Sequence, residues 1–120
     1  VYDYRNIEVT IDEQDIFNVT INESLAVALL TNLLKNAFVH NIDGGHIRIT
    51  VTKNSITFRN SGVKNPLDKE HIFERFYQGT KKEGSTGLGL AIADSICRLQ
   101  HLSIRYYFEQ KEHCFEISRQ

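Results

Sequence analysis

The chain has 120 residues, enough for one domain with a core of its own and no need of disulfides or a structural metal. Hydrophobic residues make up 41% and charged residues 24%, which excludes a disordered tail as the main content. A formal net charge of -1 excludes the broad basic surface of a nucleic-acid or anionic-membrane binder, so any phosphate site has to be local.

The two cysteines, Cys97 and Cys114, form no CxxC pair and read as packing thiols in a reducing compartment. No run approaches the roughly eighteen apolar residues of a membrane span, and the start VYDYRNIEVT lacks signal-peptide character. The expectation is a cytoplasmic location, with any inner-membrane anchor of a parent protein outside this chain.

In chain order, NIEVTIDEQDIFNVTI alternates Ile7, Val9 and Ile11 with polar neighbours and then places Phe17, Val19 and Ile21, which predicts two half-buried strands. Asn22 suits a helix N-cap, and the apolar arc of ESLAVALLTNLLKNAFVH predicts a mostly buried helix from Glu23 to about His40, ended by Asp43, Gly44 and Gly45. HIRITVTKNSITFRN reads as a hairpin turning at Lys53, Asn54 and Ser55. After Pro66, LDKEHIFERFYQ predicts a short helix, and GTKKEGSTG a polar, mobile stretch. LGLAIADSICRLQ is apolar at helical spacing, and LSIRYYFEQ and HCFEISR close the chain as strands. The order ββαββααββ predicts an α+β fold of two layers, a mixed sheet of about five to six strands covered on one face by about three helices.

Three features carry chemistry. Asn32 and Asn36 lie four residues apart in the first helix, about 40° around its axis, on a face shared with His40. Burying an unpaired amide costs about 1–3 kcal/mol, so two in an apolar helix suggest a ligand that both can grip. An asparagine oxygen suits magnesium, and its NH₂ suits a phosphate oxygen. The spacing equally suits a solvent-facing polar stripe.

The second feature is GSTGLGLAIADSI, where glycines run straight into an apolar helix and backbone amides can meet polyphosphate. A capped flexible linker reads the same way. The P-loop and Rossmann patterns are both absent. The third is FRNSG, where Asn60 ends a strand before Ser61 and Gly62; a polar side chain there can reach a purine edge, although such a stretch is also an ordinary turn.

Taken in this order, the stretches resemble the nucleotide-binding boxes of the histidine kinase branch of the gyrase, chaperone, kinase and MutL ATPase superfamily. TNLLKNA resembles the N box, RNSGV the G1 box, IFERFY the F box and GSTGLGLAI the G2 box. The resemblance implies a Bergerat-type α/β sandwich that holds ATP between helices under a lid. By the same carry-over, Asn36 would bind the Mg²⁺ that bridges the ATP phosphates, and Asn32 would help position them. Gly87 and Gly89 would give backbone amides to phosphate, with Thr86, Leu88 and Leu90 beside them and Gly84 as the lid hinge. Asn60 and Gly62 would take the adenine. Residues 78–86 would form the lid, anchored by Phe73 and Phe76, with Lys81 and Lys82 screening phosphate charge or simply solvated.

The departures from the family pattern are specific. Asn60 stands where an aspartate is expected, so a neutral hydrogen bond replaces a charge-assisted one and adenine should be held more weakly. Lys64 replaces the second G1 glycine. Val39 and His40 replace the N-box lysine and tyrosine, which leaves His40 as a candidate phosphate donor.

Hydrolytic relatives carry a glutamate where this chain has Asn32, and an amide cannot act as a general base. The resemblance therefore implies a protein-histidine kinase catalytic domain that donates the γ-phosphate of ATP rather than hydrolysing it. Its partners would be the phosphoacceptor helical domain of the same parent, in cis or across a homodimer, and a response regulator downstream. None of the five histidines lies in a segment resembling the phosphoacceptor helix, so residues 1–120 read as the catalytic domain alone, without autophosphorylation. The alternative is a degenerate nucleotide-binding module that signals by conformation. A serine-directed anti-sigma kinase is disfavoured by Asn32.

Overall fold

The computed structural model describes residues 6–75, 77 and 88–120. Its elements are β1 (Glu8–Glu13), α1 (Glu23–Val39), β2 (His46–Val51), β3 (Ser55–Asn60), α2 (Gly89–Leu99), β4 (Leu102–Glu109) and β5 (Glu112–Arg119). The strands form one mixed sheet in the order β1-β2-β3-β5-β4, in which β1 runs parallel to β2 and all other pairs are antiparallel. Among the described residues no helix is long and apolar enough to cross a membrane.

Alternation along the strands sets the two faces. Phe58 pairs with Ile49 and Phe115, and with Tyr106 and Ile117 these residues form a core with Leu29 and Leu33 of α1 and with Ala93, Ile96 and Cys97 of α2. The opposite face is polar: Arg59 donates to Thr50 Oγ1 at 3.1 Å, and the buried Glu112 takes His46 at 2.6 Å and Arg48 at 3.0 Å. One apolar face covered by helices and one polar face is the two-layer solution that the sequence pattern predicts.

Helix α1 starts where Asn22 Oδ1 accepts from Leu25 N at 3.1 Å, as an N-cap should. Leu29, Leu33 and Ala37 recur every four residues and are buried. The helix stops after Val39 because Asn41 turns its side chain back, its Nδ2 donating to the Ala37 carbonyl at 3.1 Å in place of a further backbone N–H. Both cysteines are buried and free, and burial pushes the Cys97 thiol up to about 11, as suits a packing residue.

Two expectations are corrected. Residues 17–21 are not a strand: Phe17, Val19 and Ile21 pack against the core, yet the segment pairs with no strand among the described residues. Arg119 fastens it instead, donating to the Asn18 carbonyl at 2.9 Å and stacking over the Phe17 ring. The expected helix over 67–78 is a run of turns in the residues described. His71, Glu74 and Tyr77 each donate to a carbonyl three residues back, while the Asp68 carboxylate takes Glu70 N at 3.0 Å and pairs with His71 at 2.6 Å. An aspartate side chain that claims nearby backbone amides competes with helix propagation. The described residues therefore hold five strands, within the expected five to six, and two helices rather than about three.

The β4–β5 hairpin turns on Gln110 and Lys111, both in the left-handed region with φ of 52° and 64°. Two-residue turns of this kind favour Asn-Gly, because a β-carbon in that region costs roughly 1–2 kcal/mol. Lys111→Gly should therefore stabilise the domain by about 0.5–1 kcal/mol after the entropy lost by glycine, raising the melting temperature by roughly 2–6 °C. An unchanged or lower melting temperature would show that the turn is not strained.

Candidate functional site

The two helices run antiparallel. At one end Asn22 N donates to Gln100 Oε1 at 3.0 Å; at the other Gly89 lies so near Asn32 that an added Cβ would stand 3.3 Å from its Oδ1. Helix α1 continues past Asn32 to Val39, where the loop after β3 closes on it: a Cβ on Gly62 would come within 2.8 Å of the His40 carbonyl oxygen. Between the start of α2 and that loop, the flank of α1 from Asn32 to His40 spans about 12 Å.

Asn36 sits midway along this flank, half-buried. Its side-chain amide makes no hydrogen bond to another described residue. Asn32 differs, because its Nδ2 donates to the Ala28 carbonyl at 2.8 Å and only its oxygen is left facing α2. The N-terminus of α2 has no side-chain cap, so its first amides form a positive end next to Asn32. Leu88, Gly89 and Leu90 open this helix and are half-buried. His40 is the C-cap of α1.

At the far end stands Asn60, last in β3 and 2% exposed. Its Nδ2 donates to the Ser61 carbonyl at 2.7 Å, and this fixes the amide orientation, since the reverse would set two acceptors face to face. The consequence is a buried Oδ1 with no partner. Leaving such an acceptor unpaired costs about 1–3 kcal/mol, so Oδ1 is able to take an incoming donor. An aspartate could not make the Ser61 bond, so the asparagine has a structural use that the sequence alone does not show. Gly62 is needed for close approach, because a Cβ there would also meet His113 Cδ2 at 3.2 Å and Asn60 Nδ2 at 3.5 Å. Lys64 is exposed.

Phe73 packs against the core and meets the Phe115 ring edge-on, with centroids 6.2 Å apart. Phe76, Gly84, Thr86 and Gly87, with Lys81, Lys82 and the expected lid over 78–86, lie outside the described residues.

The sequence reading missed the residues that hold the base-side loop in place. Asn41, 0% exposed, accepts from Ile42 N at 2.8 Å and donates to the His46 carbonyl at 3.0 Å, while Ser61 Oγ donates to its Oδ1 and accepts from His46 N. Gly45 runs so close beneath that a Cβ would overlap Asn41 Oδ1 and Ser61 Oγ. Ser61 stood inside the FRNSG stretch and Gly45 at the helix end, but the partnership between them is a tertiary fact. His113, opposite Asn60 in the β3–β5 pairing, was assigned no role.

A family model described as histidine kinase-, DNA gyrase B- and HSP90-like ATPase matches residues 21–118. Sensor histidine kinase RppB of Synechocystis sp. is 43% identical over 84 residues, which cover 62% of this chain and 18% of that protein. Heme sensor protein HssS of Staphylococcus aureus is 36% identical over 109 residues, 87% of this chain and 24% of that protein. The chain thus spans less than 25% of the length of these relatives. The solved catalytic domain of histidine kinase ThkA is similar at a TM-score of 0.78 and 27% identity, covering 95% of this chain and 78% of that one. The same kinase in complex with response regulator protein TrrA is similar at a TM-score of 0.74 and 24% identity, covering 95% and 34%.

Proposed function

The chain belongs to the histidine kinase-, DNA gyrase B- and HSP90-like ATPase family, in its sensor histidine kinase branch, and on that premise we propose that it binds Mg-ATP and presents the γ-phosphate to a histidine on a separate helical domain of the same parent. The observation that carries this reading is the buried, unpartnered Oδ1 of Asn60, an acceptor waiting at one end of a flank whose other end is the uncapped start of α2.

In this reading the adenine amino group donates to Asn60 Oδ1, and Gly62 lets the backbone pass close to the ring. The amides at Leu88, Gly89 and Leu90 face phosphate oxygens, where the partial positive end of α2 favours negative charge. Asn36, with a side-chain oxygen uncommitted among the described residues, holds magnesium. Magnesium, when bound, neutralises charge on the phosphates during transfer. Asn32 keeps its NH₂ on its own helix and offers only an oxygen towards Gly89. Position 32 carries an amide and not a carboxylate that could activate water, so the arrangement favours transfer to an incoming nucleophile over hydrolysis. The acceptor histidine, the parent protein and a response regulator to receive the phosphoryl group are part of the proposal; the solved complex of ThkA with TrrA supports the last.

The test supplies the helical phosphoacceptor domain of the parent in trans with labelled ATP. Acid-labile label on that domain, and none on this chain incubated alone, is the expected result. Binding of ATP without transfer to that domain would reject the kinase reading.

A further inference from the structure

His113 is buried, 3% exposed, on the inner face of β5 directly opposite Asn60. Its Nε2 lies 2.7 Å from the Val63 carbonyl oxygen, its Nδ1 lies 2.7 Å from the Tyr106 hydroxyl, and that hydroxyl oxygen lies 2.9 Å from Leu67 N. A carbonyl only accepts, so Nε2 must carry a hydrogen, and in the neutral imidazole Nδ1 is then bare. Tyr106 therefore donates to Nδ1, and its oxygen accepts from the Leu67 amide. One relay on β4 and β5 thus grips the loop after Asn60 at two points, Val63 and Leu67, with every member of the relay satisfied.

We propose that His113 and Tyr106 are positioning residues for the adenine end of the nucleotide site, holding the 61–67 loop against the sheet so that Gly62 and Asn60 keep the geometry that receives the base. The inference rests on the reading of Asn60 as the adenine acceptor. Neither residue touches the nucleotide in this scheme; both act through the loop.

The relay also makes the site sensitive to pH. Among the described residues, the groups facing His113 are Tyr106 and Phe108 from β4, Asn60 from β3, and Gly62 and Val63 from the loop, none of them charged. Burial holds the imidazole below its ordinary value, and burial likewise holds the Tyr106 hydroxyl above its own, so both are neutral at pH 7. A protonated His113 would turn Nδ1 into a donor, and the Tyr106 hydrogen would lose its acceptor. Because the folded-state value is lowered, the stabilisation is complete above the ordinary histidine range and is lost as pH falls below it towards the folded value. ATP affinity should follow the loop.

Mg-ATP titration of the full chain from about pH 8 to about pH 5.5 tests this, with three variants beside the wild type. Tyr106→Phe keeps the ring and removes the hydroxyl, and should weaken ATP at neutral pH by about 3- to 10-fold. His113→Gln keeps a donor for Val63 and an acceptor for Tyr106 but does not titrate; it should lose the part of the acid decline in ATP affinity that is due to His113. Titration of ATP itself is common to all proteins and cancels in that comparison. Nitrogen NMR of the wild-type imidazole should show the Nε2–H tautomer.

Wild-type affinity in Tyr106→Phe, identical pH profiles for wild type and His113→Gln, or an Nδ1–H tautomer would each overturn the proposal. Asn60→Ala separates the two levels. If it leaves ATP affinity unchanged, the adenine reading fails and the proposal with it; if it weakens binding while Tyr106→Phe does not, only the positioning role fails.

Discussion

Replacing Asn36 with alanine should lower Mg-ATP affinity by about 10- to 100-fold, on the scale seen when a metal site loses one of its supporting groups. The melting temperature should stay level or rise. The two halves of this result have separate causes. The Asn36 amide bonds to no other described residue, so its removal strands no buried partner. Alanine is also the better helix former by about 0.5 kcal/mol, which favours α1. Asn36 weakens its helix and its side chain bonds to none of the described residues, and its position between the start of α2 and Gly62 suits a metal-bearing nucleotide. Calorimetric titration with and without magnesium gives the answer: equal binding by Asn36→Ala and wild type would remove this asparagine from the site.

Gly45→Ala should give the opposite profile, a loss of about 2–4 kcal/mol in stability and roughly 10–15 °C in melting temperature. A β-carbon at Gly45 would overlap Asn41 Oδ1 and Ser61 Oγ and approach the Ile42 carbonyl oxygen to 2.9 Å. These atoms cannot yield cheaply. Asn41 bonds both Ala37 and His46, and its displacement would uncap α1 and loosen the first residue of β2 together. Gly44 is the internal control: its φ is 74°, but a β-carbon there meets nothing within 4 Å. Gly44→Ala should therefore cost only about 1 kcal/mol, for the left-handed backbone alone. Thermal or denaturant unfolding that gave the two variants equal losses would show that the Asn41–Ser61 contact is soft.

What the sequence makes legible is whatever lies within one element. The apolar spacing of α1 and α2, the Asn22 cap and the alternation of β2, β3, β4 and β5 all follow from local periodicity, and all are found. Alternation at Phe17, Val19 and Ile21 reports burial of one side correctly, but burial is not pairing, and the segment joins no ladder among the described residues. The turns from 67 to 75 escape a reading by propensity because the side chain of Asp68 competes for backbone amides. Within the site, the interval between Asn32 and Asn36 is visible because a helix repeats. The grip of Asn41 on Ser61, and of His113 and Tyr106 on the base-side loop, depends on which residues face each other across strands and helix ends. That is a property of register, and no single stretch of sequence carries it.

The first turn of α2 has two allegiances. Its amides open onto the flank of α1 without a side-chain cap, while Ala91 and Ala93, just behind them, are buried in the domain. An anion held at that end would favour the folded state over the unfolded one, so filling the site and consolidating the fold would be linked. Each tenfold excess of ligand over its dissociation constant then adds about 1.4 kcal/mol of folding free energy.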